Sequence, residues 1–64
     1  SPIFRRHFYA TRDIAAGEPI STDNARAIRA RDGIPACEFE RLFGARARTP
    51  IAAFSPVTWE MLNV

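Results

Sequence analysis

The sequence predicts a mainly β domain of short strands and 3₁₀ or α turns, built as a pseudo-twofold duplication. Three observations carry this expectation. Residues 13–25 and 50–62 align without a gap: Ile14 with Ile51, Ala15-Ala16 with Ala52-Ala53, and Pro19 with Pro56. Ile20, Ser21 and Asp23 stand opposite the similar Val57, Thr58 and Glu60. Each copy reads as a turn, a short strand and a capped turn. That is too little to bury an apolar face alone, whereas packing two copies together buries both. Finally, Gly17, Asp32-Gly33 and Gly44 punctuate the chain at short intervals, as turns do.

The elements follow in chain order. Phe4 to Thr11 is aromatic-rich and reads as a strand, with Phe8 and Ala10 two apart on one face. Arg12 to Glu18 is a turn in which Gly17 supplies the positive φ. Pro19-Ile20 is a second extended piece. Ser21-Thr22-Asp23-Asn24 is a run of side chains that cap free backbone N–H groups, and it predicts one 3₁₀ turn before the chain extends again at Ile28. Asp32-Gly33 is a tight turn. Pro35 suits the first position of a helix, and Glu38 and Glu40 suit its positive N-terminal end. Phe39, Leu42 and Phe43, at i, i+3 and i+4, predict an apolar helix face over Ala36 to Phe43, closed by Gly44 in the left-handed region. The predicted core sets these three residues against Ile14, Ile20, Ile51 and Val57, with Phe8 beside them. Arg46 and Arg48 alternate with Ala45 and Ala47, as on a strand with arginines outward. Phe54 stands where the first copy has Gly17, which predicts a differently built second turn.

Composition narrows the function classes. Sixty-four residues allow one domain, which hides only about 60% of the surface its unfolded chain exposes. One cysteine, Cys37, excludes an internal disulfide, and with the single His7 it falls short of the four ligands of a structural zinc site. No catalytic, metal-ligating or cofactor-binding residue is therefore expected in this chain. A Cys37–His7 nucleophile pair lacks an orienting third residue. The net charge is +2, from nine arginines and no lysine against seven acids. With acids interleaved and no stacking platform among the arginines, nucleic acid is not an expected partner. No apolar run approaches the ~20 residues that span a bilayer, so no membrane partner is expected either. Lone cysteine usage fits a cytoplasmic setting.

The motifs together resemble a known family. An Arg-rich opening precedes Asp13-Ile14-x-x-Gly17-Glu18-x-Ile20-Ser21-x-x-Asn24. Arg29-x-x-x-Gly33-Ile34-Pro35, Leu42-Phe43-Gly44 and a second copy ending Thr58-Trp59-x-x-Leu62 follow. From Arg5 to Leu62 the chain resembles the antifreeze-like C-terminal domain of sialic acid synthases, within the SAF superfamily. It departs from that pattern at Ala30-Arg31, where the family usually has Pro-Gly, at His7, where the family often has Ser, and near Phe54, where it often has Gly. The resemblance implies a β-clip fold related to type III antifreeze proteins. It implies that residues 1–64 are one domain, excised from a longer protein with an upstream (β/α)₈ barrel, an expectation that the Ser1-Pro2 opening shares. In that family the barrel, a homodimer using a divalent metal (manganese or magnesium), condenses phosphoenolpyruvate with an N-acetylated aminosugar to give sialic, legionaminic or pseudaminic acid. The small domain caps the partner subunit's barrel and contributes one arginine to the sugar site. On this match that arginine is Arg29. Phe4, Tyr9 and Trp59 are then expected to be bare on the isolated domain, as parts of a docking surface. The alternative is a stand-alone carbohydrate-binding or ice-binding-like module. Arg12, Asp13 and Glu18, with Gly17, occupy the face that would meet ice, and their strongly hydrated charges argue against that role.

Overall fold

The computed structural model describes residues 5–63. Strand β1 (Arg5–Ala10) pairs antiparallel with β2 (Ala25–Ala30), in a register that sets Ala10 opposite Ala25 and Arg5 opposite Ala30. A 3₁₀ turn, Ala36–Glu38, runs into the one-turn helix α1 (Phe39–Leu42). Strand β3 (Arg46–Ala47) pairs with β4 (Leu62–Asn63), which follows a 3₁₀ turn at Trp59–Met61. The expected strand at the start of the chain is present; Phe4 lies outside the described residues. Phe8 and Ala10 share its buried face, as their spacing of two requires.

The duplication is written into the hydrogen bonds. Ile14 and Ile51 exchange both backbone bonds, at 2.8 and 2.9 Å, on the axis relating the halves. Gly17 N–H donates to Ala47 O (2.7 Å), and Phe54 N–H to Ala10 O (2.8 Å). Ala47 N–H donates to Glu18 O as Ala10 N–H does to Ser55 O, both at 2.9 Å. Pro19 bridges Arg46 as Pro56 bridges Tyr9. Isolated bridges thus tie each half to the strand of the other, while each two-stranded sheet lies within one half. The enclosed core is Phe8, Ala10, Ile14, Ile20, Ala25, Ile34, Leu42, Ala47, Ile51, Val57 and Leu62.

Three sequence expectations are corrected. First, the second turn is not built differently from the first. Phe54 adopts φ +67, close to the φ +87 of Gly17, and makes the equivalent hydrogen bond. Shared tertiary pairing imposes the geometry on a residue with a Cβ, at a cost of about 1–3 kcal/mol. Second, Phe39 is 49% exposed and not part of the core. An i, i+4 pair shares a face only when both residues are helical. Phe43 is already extended (φ −70, ψ 128), so its ring leaves that face and meets Phe8 edge-on at 5.4 Å. Leu42 alone points fully inward. Third, the chain extends at Ala25 and not at Ile28, because the hydrogen-bonded turn at 22–24 ends in pairing with β1. Pro35 sits one position before the 3₁₀ turn, extended (ψ 146), where it bridges His7.

Candidate functional site

Arg29 lies near the end of β2, and the ladder sets it directly opposite Arg6 on β1. Thr11 N–H donates to Asn24 O, while Phe8 turns its N–H to Ile34 and its carbonyl to Val57. Odd-numbered β1 residues therefore make the inter-strand bonds, and Arg6–Arg29 is a non-hydrogen-bonded pair. Side chains come closest at such pairs, and like charges there repel. Both arginines are exposed. Among the described residues neither has a hydrogen bond or ion pair to its guanidinium. Strand alternation puts Arg6 and Arg29 on the face that carries Phe8, Ala25 and Ala27, but beyond the edge of the core.

The backbone that aims Arg29 is held at both ends. Asn24 is buried (1% exposed), and its side chain is fully used. Its Oδ1 accepts from Ser21 N–H (2.9 Å), and its Nδ2 donates to Pro19 O (3.0 Å) and to Glu18 Oε2 (3.2 Å). Glu18 also accepts from Arg12 (2.7 Å) and from Ala15 N–H (3.0 Å). These donors, Arg12 first, hold the Glu18 carboxyl down at about 2 against an ordinary 4.5, and the same contact raises Arg12. At the far end Gly33 (φ +97) passes so close to β1 that a Cβ would lie 2.7 Å from Phe8 O. Ile34 N–H then donates to Val57 O (2.8 Å).

The other residues singled out in the sequence lie elsewhere. His7 Nδ1 is 2.9 Å from Arg5 O, and Cys37 is exposed in the 3₁₀ turn. Arg46 is outward, as its strand pattern requires, and donates to Gly17 O (2.8 Å) across the pseudo-twofold. Tyr9 and Trp59, expected to be bare, are instead half-buried, with the Arg41 guanidinium 4.6 Å over the Trp59 ring. Among the described residues no three His, Cys, Asp or Glu side chains gather as metal ligands. No described helix is long and apolar enough to cross a membrane.

Sequence reading missed Arg6 as the neighbour of Arg29. The register of β1 on β2 would have shown it, but β2 was not expected to pair with β1. It also missed Asn24 as a buried hub: the run from Ser21 to Asn24 signals capping, not which member faces inward.

Known proteins resemble this fold. Spore coat polysaccharide biosynthesis protein SpsE of Bacillus subtilis superposes with a TM-score of 0.84 at 28% identity, over 98% of this chain and 19% of that one. A Chromobacterium violaceum protein assigned as spore coat polysaccharide biosynthesis protein E superposes at 0.81 with 35% identity, over 94% of this chain and 18% of that one. The antifreeze-protein-like domain of human N-acetylneuraminic acid phosphate synthase superposes at 0.83 over 91% of this chain and 75% of that one. At 15% identity, that last match speaks for the fold alone. This chain thus spans about a fifth of the two bacterial chains. Among curated proteins none matches it. The SAF domain family model matches residues 5–63, the whole of the described fold. The chain belongs to the SAF domain family.

Proposed function

We propose that this domain is the lid of a phosphoenolpyruvate-dependent sialic, legionaminic or pseudaminic acid synthase. In this reading it caps the barrel of the partner subunit in a cytoplasmic homodimer, and Arg29 reaches the N-acetylated aminosugar. The observation that carries it is an exposed arginine, unpaired among the described residues, on a backbone held at both ends and facing Arg6. Two cations that repel across a ladder gain most from an oxygen ligand between them. A guanidinium suits a carbonyl or carboxylate because its planar donors fix the geometry. The family membership and the two bacterial relatives, both named for polysaccharide biosynthesis, support the class of chemistry. The divalent metal of such a reaction belongs to the barrel. The part of this chain is to bind and orient the sugar and to exclude water.

Kinetics of the full-length enzyme test the reading. Arg29→Ala is expected to lower kcat/KM for the sugar, with phosphoenolpyruvate binding little changed. Arg29→Lys should recover only part of the loss, since lysine lacks the planar fork. In the 64-residue chain Arg29→Ala should leave stability within about 0.5 kcal/mol, as for a surface position. An Arg29→Ala enzyme with unaltered sugar kinetics would show the residue to be incidental. An ice-binding role is disfavoured by the exposed Arg12 and Asp13, and the absence of thermal hysteresis in the pure chain is the expected result.

A further inference from the structure

Arg29 does not stand alone on its ribbon. The register sets Arg6 directly opposite, at a non-hydrogen-bonded pair, where Cβ atoms lie about 4.5–5.5 Å apart. Like charges at that spacing repel, and neither β1 nor β2 contains an acid to offset them. Elsewhere Arg12, Arg41 and Arg46 each have a partner: Glu18, Glu38 and the Gly17 carbonyl. Arg6 and Arg29 have none among the described residues.

The backbone prevents the two from moving apart. β1 is held by β2 on one edge. On the other edge His7 bridges Pro35, Phe8 N–H donates to Ile34 O (2.8 Å), and Val57 N–H donates to Phe8 O (3.0 Å). A slip of one residue would turn Phe8 out of the core, so the juxtaposition is fixed by the fold. Next along the same face come Phe8, 5% exposed, and the partly buried Ala27. This apolar floor withholds water from one side of the pair, where charges are screened less than in open solvent.

We propose that Arg6 and Arg29 together clamp one oxyanion, a carboxylate or a phosphate ester, with Arg6 as a second ligand contact. The inference rests on the Arg29 reading for the source of the ligand, and goes beyond it in two respects. It makes Arg6 a specificity residue, and it gives the ligand a negative charge at this end. A neutral carbonyl satisfies one planar fork and leaves the repulsion in place. An anion between the two converts that repulsion into charge-assisted contacts from both arginines. The pair therefore discriminates charged from uncharged ligands. His7 and Ile28 point to the opposite face and take no part.

Inorganic phosphate and acetate, titrated separately into the 64-residue chain at constant ionic strength, test the clamp through the NMR signals of the arginine Nε–H groups. Arg6 and Arg29 should shift together along one binding curve, with the other arginines nearly still. Arg6→Gln and Arg29→Gln should each weaken binding of the tighter anion at least about fivefold, as the loss of a charge-assisted contact implies. The double variant should be little worse than either, because both residues act on one ligand. Arg6→Lys should keep part of the affinity, having the charge without the fork. The anion should also raise the melting temperature of the parent more than that of Arg6→Gln. Tighter phosphate identifies the ligand group as a phosphate ester and tighter acetate as a carboxylate; either supports the clamp. Equal shifts at all the arginines, or an Arg6→Gln chain that binds as tightly as the parent, overturn it. If the clamp fails while Arg29→Ala still impairs sugar kinetics in the full-length enzyme, Arg29 acts alone and the lid reading stands. If the clamp holds while Arg29→Ala leaves those kinetics intact, the lid reading fails and the anion site remains.

Discussion

At Glu18 one carboxylate serves three donors, and this makes the fold sensitive to acid. Its folded pKa is held at about 2, below the ordinary 4.5, chiefly by Arg12, then by Ala15 N–H and Asn24. A depressed carboxyl contributes stability that is fully present above its unfolded pKa and is lost as pH falls through its folded pKa. The loss therefore develops between about 4.5 and about 2. Glu18→Gln should be less stable than the parent at neutral pH, and the gap should close over that window. Melting temperatures of both proteins from pH 7 to pH 2 check this, and a constant gap would contradict it. Gly33 makes a second case at this scale. Alanine there meets both a positive φ and Phe8 O at 2.7 Å, and backbone cannot step aside as a flexible side chain can. Gly33→Ala should destabilise the chain by more than the ~1 kcal/mol typical of a point change, whereas Gly17→Ala meets φ strain alone. Denaturant midpoints of the two variants should rank accordingly.

At the scale of the element, the helix shows how far periodicity reaches. Phe39, Leu42 and Phe43 have the spacing of an apolar face, yet the segment is a 3₁₀ turn and a single α turn. Leu42 is fully buried, Phe43 packs as an extended residue, and Phe39 is left in water. Leu42→Ala should then cost roughly 2–5 kcal/mol, enough to unfold much of so small a domain, while Phe39→Ala should fall near the surface range. Urea unfolding of the pair measures the difference. Equal costs would mean that α1 faces another way. The β1–β2 ribbon gives the complementary case. Alternation placed Phe8 and Ala10 inward from sequence, but the Arg6–Arg29 juxtaposition belongs to the register, which no single strand reveals.

At the scale of the molecule, two copies related by 37 positions repeat their turn bonds, bridges and strand pairings. The two copies differ in side chain at several turn positions. Glu18 has Ser55 as its counterpart, Asp13 has Pro50, and Gly17 has Phe54. Among the described residues β1 and β2 run six residues each, β3 and β4 two. Arg29 stands near the end of the longer ribbon, opposite Arg6.

The sequence by itself determined the duplication, the mainly β class, the turns at Gly17, Gly33 and Gly44, and the buried set Ile14, Ile20, Leu42, Ile51 and Val57. These follow from local signals: side-chain alternation, capping residues, and apolar positions repeated in both copies. It also singled out Arg29 through a motif. Only the tertiary structure decided what stands opposite Arg29, which member of the capping run is buried, and that Phe54 takes a glycine's conformation. Each of those depends on pairing between segments far apart in the chain. The Phe54 turn is bent by its bond to Ala10 O, and Arg6 meets Arg29 because Thr11 pairs with Asn24. A residue's own preference sets what is easy for it, and long-range hydrogen bonding sets what it must accept.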